Sequence, residues 1–362
     1  MASVCVLVQS PRLHDFVVAI CRAGGSNDRE AKLVADQLVL ANLSGHDSHG
    51  VGMLPTYVEG MLDGRAVVNQ KIRIEQDAGA LVTVDGGRGL GQVMAYETME
   101  LGIERAQAHG VCVIGLKNSY HIGRIGHWGE QCARAGFVSI HYANVTDTRA
   151  AVAPFGGSDA RYGTNPYCTA IPTSGEPILL DFATSMIAVG KARVAMNKGE
   201  QIAPGILMDA EGQPTTEPSV MFNAPTGALH PFGAHKGSGL ALVAELLAGS
   251  LTGPGTIAGT TENGRVINCM MTILFDPRKL SGTHNYEAEI DRLLAWVKAS
   301  PPAQGIDRVR VAGEPERERR VRFGHDGIAI DQTTWELLVR TAESVRIDRA
   351  STASIVGFTG TA

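Results

Sequence analysis

Residues 80–108 constrain the fold more than any other stretch of the chain. Ala80-Leu81-Val82-Thr83-Val84 has the length and apolar content of a buried strand, Gly86-Gly87-Arg88-Gly89-Leu90-Gly91 follows, and a helical pattern then runs from Gln92 to Ala108. Strand, glycine loop and helix make the setting in which dinucleotide-binding loops occur. The spacing does not fit. A G-x-G-x-x-G beginning at Gly87 requires glycine at 92, where the chain has Gln92, and no acidic residue ends a second strand about 20 residues later. No GKS/T phosphate loop occurs either. The glycines read as a tight turn, and a Rossmann domain is not expected.

Other elements follow from periodicity. Leu13, Phe16, Val17 and Ile20 share one helix face, and Gly24-Gly25 stops that helix. Asn27 with Glu30 resembles a capping box, opening a helix whose buried face is Val34, Leu38 and Ala41. A further helix is predicted over Leu54 to Leu62, so the first 65 residues or so form a helical unit. β-rich sequence starts near Ile72, with strands at 80–84, 111–116, 137–142, 178–180 and 269–275. Polar residues follow the strands ending near 116, 142 and 180, an arrangement that can converge on one cleft. Leu240 to Leu247 is predicted as a helix buried on most of its surface, preceded by His235-Lys236-Gly237-Ser238-Gly239, which suits either an anionic group or a simple N-cap. Helices at 286–299 and 335–345 are amphipathic, and the charged run from Arg317 to Arg322 reads as solvated surface.

Composition removes several classes of function. The chain has 362 residues, long enough for two or three subdomains. Net charge is -5 with no basic block, so nucleic acid is not an expected partner. The six cysteines show no CxxC spacing, and several lie in apolar runs where a reduced thiol packs as a small hydrophobe. No apolar segment approaches the roughly 18 residues of a membrane span, and no basic leader is seen. The expected setting is the cytoplasm.

Chemistry concentrates at Asn118-Ser119-Tyr120-His121-Ile122-Gly123-Arg124-Ile125-Gly126-His127-Trp128, between the strand at 111–116 and a helix predicted over 130–135. Three chemistries can be weighed. His46, Asp47 and His49 have acceptable metal-ligand types, but there is no HExxH and no cysteine pair. A metal-dependent lyase or hydrolase using His46/His49 is thus an alternative, and no metal is assigned. Nucleophilic hydrolysis lacks a GxSxG elbow. The third chemistry is hydride transfer between a nicotinamide and a carbonyl. Reduction of a 2-oxo acid leaves an alkoxide that needs a proton from a group such as histidine, and the substrate carboxylate needs a cation, best an arginine. Arg124 lies three residues from His121, close enough for both to face one pocket.

Asp47-Ser48-His49-Gly50, His121-Ile122-Gly123, Gly163-Thr164-Asn165-Pro166, Asp181-Phe182-Ala183-Thr184-Ser185 and His235-Lys236-Gly237 together resemble the malate/L-lactate dehydrogenase family of the second type, in order and over nearly the whole chain. This group includes ureidoglycolate, sulfolactate and diketogulonate oxidoreductases and cyclic-imine 2-carboxylate reductases. The resemblance implies an NAD(H)- or NADP(H)-dependent oxidoreductase interconverting 2-hydroxy and 2-oxo acids without a Rossmann domain. It implies an α+β fold in which a helical unit (1–70) and a returning C-terminal segment (285–362) pack on a central, largely antiparallel, cofactor-binding sheet domain (71–284). Homodimers are expected.

Carried over by position, the resemblance makes His121 the proton donor and acceptor, with His49 orienting substrate and nicotinamide. Ser48 falls to the substrate. Cofactor contacts fall on His49, Gly123, Arg124, Ile125, Thr164, Asn165, Asp181, Ala183, Thr184, Ser185, His235, Lys236, Asn268, Gly313 and Glu314. One departure stands out. Many members carry an arginine three or four residues after the SHG histidine; here those positions are Gly52 and Met53. Arg124 is therefore expected to hold the substrate carboxylate, with Met53 forming an apolar wall that favours larger or aromatic 2-oxo acids over malate.

Overall fold

The computed structural model describes residues 5–259 and 265–357. Its first helices are α1 (Ser10–Ala23), α2 (Asp28–Leu43) and α3 (Leu54–Leu62), preceded by the short strand β1 (Cys5–Val8). The cap of α2 is half a capping box. Asn27 accepts from the Glu30 N–H at 2.9 Å, but the Glu30 carboxylate turns to Ser26 and to the Asn69 backbone instead of back to Asn27. The predicted apolar faces are buried: Leu13, Phe16, Val17, Ile20, Val34 and Leu38 are inaccessible, and truncating one such leucine typically costs about 2–5 kcal/mol.

The next elements are β2 (Arg73–Asp77), β3 (Leu81–Asp85), α4 (Gly91–His109), β4 (Val111–Ser119), α5 (Gly126–Arg134), β5 (Val138–Thr146), β6 (Tyr167–Ile171) and β7 (Ile178–Phe182). Then follow α6 (Val189–Lys198), β8 (Leu207–Met208), β9 (Pro214–Thr215), β10 (Ala228–Leu229), α7 (His235–Ala244), β11 (Ile267–Phe275), α8 (Pro277–Ser281), α9 (Tyr286–Lys298), α10 (Glu314–Asp326), β12 (Ile328–Asp331), α11 (Gln332–Ser344) and α12 (Arg349–Val356). Seven strands form one sheet in the order β2-β3-β4-β11-β5-β6-β7, antiparallel except for β3 beside β4. β8, β9 and β10 make a small separate sheet, and β1 pairs antiparallel with β12 near the other chain end. No helix among the described residues is long and apolar enough to cross a membrane.

Register brings the polar segments together. Met271 of β11 faces Gly115 of β4 and Tyr142 of β5, Tyr142 faces Tyr167 of β6, and Tyr167 faces Phe182 of β7. The C-terminal ends of β4, β5 and β7 thus leave the sheet along one edge, where residues 120–125, 147–152 and 183–188 follow.

The glycine turn after β3 has a structural task. The Gly89 carbonyl accepts from Tyr120 N–H at 3.0 Å, the Arg88 N–H donates to Asn118, and a Cβ at Gly91 would come within 2.2 Å of the His121 carbonyl. Only glycine at 91 lets the start of α4 support the histidine loop so closely.

Three expectations need correction. α7 begins at His235, five residues before the predicted start, and continues into a π-turn at Glu245–Ser250; Leu242, Val243 and Leu246 on it are exposed rather than buried. The amphipathic pattern at 286–299 buries none of its residues, and Trp296 is exposed. The charged run 317–322 is not wholly solvated: Arg320 reaches Glu130 and Ser44, and Arg317 donates to the Pro177 carbonyl.

Candidate active site

His49 ends a 3-10 turn, Asp47–His49, wedged between α2 and α6. Asn42 of α2 fixes that turn by donating to Asp47 at 2.7 Å and accepting from the Val51 N–H at 2.8 Å. A Cβ at Gly190 of α6 would strike Ser48 at 2.6 Å, so glycine there allows the helix start to sit against the turn. The Ser48 hydroxyl lies 3.0 Å from His49 Nδ1.

His121 comes from the loop after β4, and its ring stacks on that of His49 with centroids 5.7 Å apart and planes 20° from parallel. Tyr57 of α3 holds His121 Nδ1 at 2.6 Å, and the Gln92 amide of α4 donates to the same phenol at 3.0 Å. With Nδ1 held by the phenol oxygen, Nε2 of His121 is the ring nitrogen left to meet a ligand, and it does so as an acceptor when the Nδ1–H donates to Tyr57. Burial first, and the charge of Arg193 second, draw the His121 pKa down to about 4; His49 is held well below the usual histidine range by burial and then by His121. Both rings are therefore held in the neutral form near pH 7.

Two adjoining cavities meet at His49, and His121 lines the first of them. The first, about 300 Å³, is lined by His49, Met53, His121, Ile122, Val145, Arg149, Arg193, Met221, Phe222 and Asn268 among others. The second, about 400 Å³, is lined by His46, Arg124, Ile125, Asp181, Ala183, Ser185, Lys191 and Phe232 among others. Ser48, His49, Gly123, Thr164, Pro166 and Ala188 border both.

Most residues expected at the site are therefore assembled: His49, His121, Ser48, Met53, Gly123, Arg124, Ile125, Thr164, Asp181, Ala183, Ser185 and Asn268 all line one cavity or both. Others sit behind or away from it. Asn165 and Thr184 are fully buried; Asn165 donates to Glu245 at 2.9 Å and Thr184 to the Thr164 carbonyl at 3.0 Å. His235 and Lys236 border neither cavity; His235 packs edge-on to Phe155. Gly313 lines a different cavity, with Arg278 and Arg317, while Glu314 pairs with Lys298. Asn268 borders the smaller cavity but both ends of its amide are used, accepting from the Ile122 N–H and donating to the Asn144 carbonyl.

Arg124 departs from its expected role as carboxylate clamp. Its side chain is 3% exposed, and it donates to Glu130 at 2.6 Å and to Asp181 at 3.3 Å. Burial would raise Glu130, but Arg320 and Arg124 outweigh it and bring the carboxyl to about 2. The guanidinium is already neutralised by protein carboxylates, which is the wrong state for a group awaiting a substrate carboxylate. His127 also lies off the cleft, edge-on to Trp128 at 4.8 Å.

Tyr57, Gln92 and Arg193 were not expected at the site. Tyr57 belongs to the apolar stripe of α3 and reads as core, although a buried phenol seeks a partner for its hydroxyl. Arg193 is one cation within a mixed helix, with nothing in the local pattern to mark it. A metal centre finds no support: among the described residues no group of three or more His, Cys, Asp or Glu side chains could hold an ion. His46 instead faces Glu316 at 3.3 Å.

This fold, with its paired histidines at a sheet edge, matches that of hydroxy acid dehydrogenases. The chain belongs to the malate/L-lactate dehydrogenase family, which it matches over residues 8–339. It is 46% identical to hydroxycarboxylate dehydrogenase B of Escherichia coli K12 over 337 residues, covering 92% of each chain. It is 42% identical to an L-lactate dehydrogenase of Cupriavidus necator, covering 87% of this chain and 90% of that one. Its backbone superposes on the solved malate dehydrogenase of Pyrococcus horikoshii with a TM-score of 0.85 at 30% identity, over 95% of this chain and 97% of the other.

Proposed function

We propose that the chain is an NAD(H)- or NADP(H)-dependent oxidoreductase that interconverts 2-hydroxy and 2-oxo acids, with a preference for larger or aromatic 2-substituents. The observation that carries this reading is the stacked His49–His121 pair at the junction of two cavities, with Nδ1 of His121 already held by Tyr57.

The residues present fit a nicotinamide nucleotide. The larger cavity offers the loop backbone of Gly123 to Ile125 and, on the first turn of α6, the exposed cation Lys191, a combination suited to phosphate groups. When bound, the nicotinamide supplies or accepts the hydride at C2 of the acid. The chain's own residues handle the proton. In reduction, protonated His121 delivers its Nε2 proton to the oxygen that becomes the hydroxyl and returns to the neutral ring; in oxidation the neutral ring, its remaining proton on Nδ1, accepts that proton at Nε2. His49, braced by Ser48 and stacked on His121, orients the reacting carbonyl. The apolar wall of Met53, Ile122, Val145, Met221 and Phe222 excludes water and favours an aromatic or long aliphatic substituent.

The domain division 1–70, 71–284 and 285–362 accords with β1–β12 pairing and with the packing of α12 on α1. Homodimerisation is part of the proposal, supported by the exposed apolar row of Leu242, Val243 and Leu246 on α7; sedimentation as a monomer at micromolar concentration would count against it. Cytoplasmic action is consistent with the unpaired, buried thiols of Cys21, Cys112, Cys132, Cys168 and Cys269.

The test is absorbance at the reduced-nicotinamide band with a panel of 2-oxo acids, both nucleotides, and chelator present. Turnover that persists in chelator and is faster with phenylpyruvate than with oxaloacetate is expected. No turnover with any member of the panel contradicts the reading.

A further inference from the structure

The family arginine that would follow the SHG histidine is absent, and Arg124 is committed elsewhere, so the cleft still needs a cation for the substrate carboxylate. Arg193 reaches the cleft from a different element, α6. Its guanidinium Nη2 lies 3.6 Å from the sulfur of Met53. It lines the smaller cavity together with both histidines. Its charge also lowers His49 and His121. Among the described residues it forms no ion pair: its hydrogen-bonding contact is the Met53 thioether, a weak acceptor, and Asp331 acts on it only at longer range. A partly buried guanidinium with a sulfur as its neighbour lacks a carboxylate partner. Arg149, a second guanidinium on the same cavity, differs in being tied to the Met221 carbonyl at 2.6 Å.

We propose that Arg193 is the substrate-carboxylate anchor of this cleft, supplied by α6. The proposal rests on the dehydrogenase reading and sharpens its substrate class to 2-oxo monocarboxylates with an apolar 2-substituent. The carboxylate lies on Arg193, the carbonyl oxygen faces His121, and the substituent runs along Met221 and Phe222. An anchor on α6 leaves the Met53 side of the cavity apolar.

The coupling to His121 gives a second readout. In the ligand-free cleft the Arg193 charge opposes protonation of His121. A bound carboxylate offsets that charge and makes His121 a better proton carrier, so the anchor favours acids over neutral esters in the chemical step as well as in binding.

The experiment compares phenylpyruvate with methyl phenylpyruvate in the full-length protein and in Arg193→Ala, Arg193→Lys, Arg149→Ala and the double variant Met53→Arg/Arg193→Ala. Phenylpyruvate binding is followed in parallel by calorimetry. Arg193→Ala is expected to lower the acid-to-ester ratio of kcat/KM by roughly 10–10²-fold, as for loss of a charge-assisted pair. Arg193→Lys should lie between, and the double variant should recover part of the acid preference. A folded Arg193→Ala or Arg193→Lys protein with unchanged acid-to-ester preference overturns the anchor alone, as does a loss of preference confined to Arg149→Ala. If the unmodified protein neither binds nor reduces phenylpyruvate or any other 2-oxo acid, the dehydrogenase reading fails and the anchor with it.

Discussion

Arg124 and Arg193 line the same cleft in opposite electrostatic states. Arg124 is buried between two carboxylates, and one of these, Glu130, is also held by Arg134 and Arg320 at 3.0 Å each. Arg193 is half-buried beside a thioether. Burial pulls its pKa down, which measures how poorly the folded chain alone stabilises the charge. The difference teaches that a guanidinium near a catalytic histidine is not thereby a substrate clamp. What separates a fastener from a binding group is whether the protein has already neutralised it.

Stability is the most direct way to break this comparison. Arg124→Ala leaves Asp181 buried without its cation and is expected to cost about 3–5 kcal/mol in urea denaturation. Arg193→Met removes a charge the fold does not compensate, so stability is expected to change by less than about 1 kcal/mol while acid turnover collapses. Should Arg193→Met prove the more destabilised of the two, the assignment of fastener and anchor is reversed.

Acid titration sharpens the same contrast with a smaller effect. Burial holds His121 and His127 at about 4 and His141 at about 3 in the folded chain, below the ordinary 6.5. The unfolded chain takes up these protons first, so their contribution is complete above pH 6.5 and is lost as pH falls toward 4. Glu130, lowered from 4.5 to about 2, contributes above 4.5 and loses its share only between 4.5 and 2. The urea midpoint is therefore expected to drop between pH 6.5 and 4.5. A flat midpoint across that window is incompatible with histidines held neutral in the folded chain.

Local patterns carried much of the architecture. Helix faces such as Leu13/Phe16/Val17/Ile20 and the apolar strands are legible because burial imposes their period. The failed G-x-G-x-x-G spacing excluded a Rossmann loop, and the same glycines turn out to support the His121 loop at Gly89 and Gly91. His49 and His121 were legible as a pair only through resemblance, since 72 positions separate them in the chain. The ion pairs of Arg124 are not legible in the sequence because its partners, Glu130 and Asp181, become neighbours only through the docking of α5 against β7. Arg193 and Tyr57 escaped notice for the related reason that nothing local distinguishes a cleft-facing side chain from a surface or core one. The exposed faces of α7 and α9 show the limit of periodicity, which reports that a stripe is apolar and not what covers it.

The most direct test of the central claim is the turnover of His121→Asn with phenylpyruvate and saturating reduced nucleotide. If His121 transfers the proton, kcat falls by roughly 10²–10⁴-fold while nucleotide binding is retained. A variant that binds nucleotide and turns over within a few-fold of the unmodified protein contradicts the account.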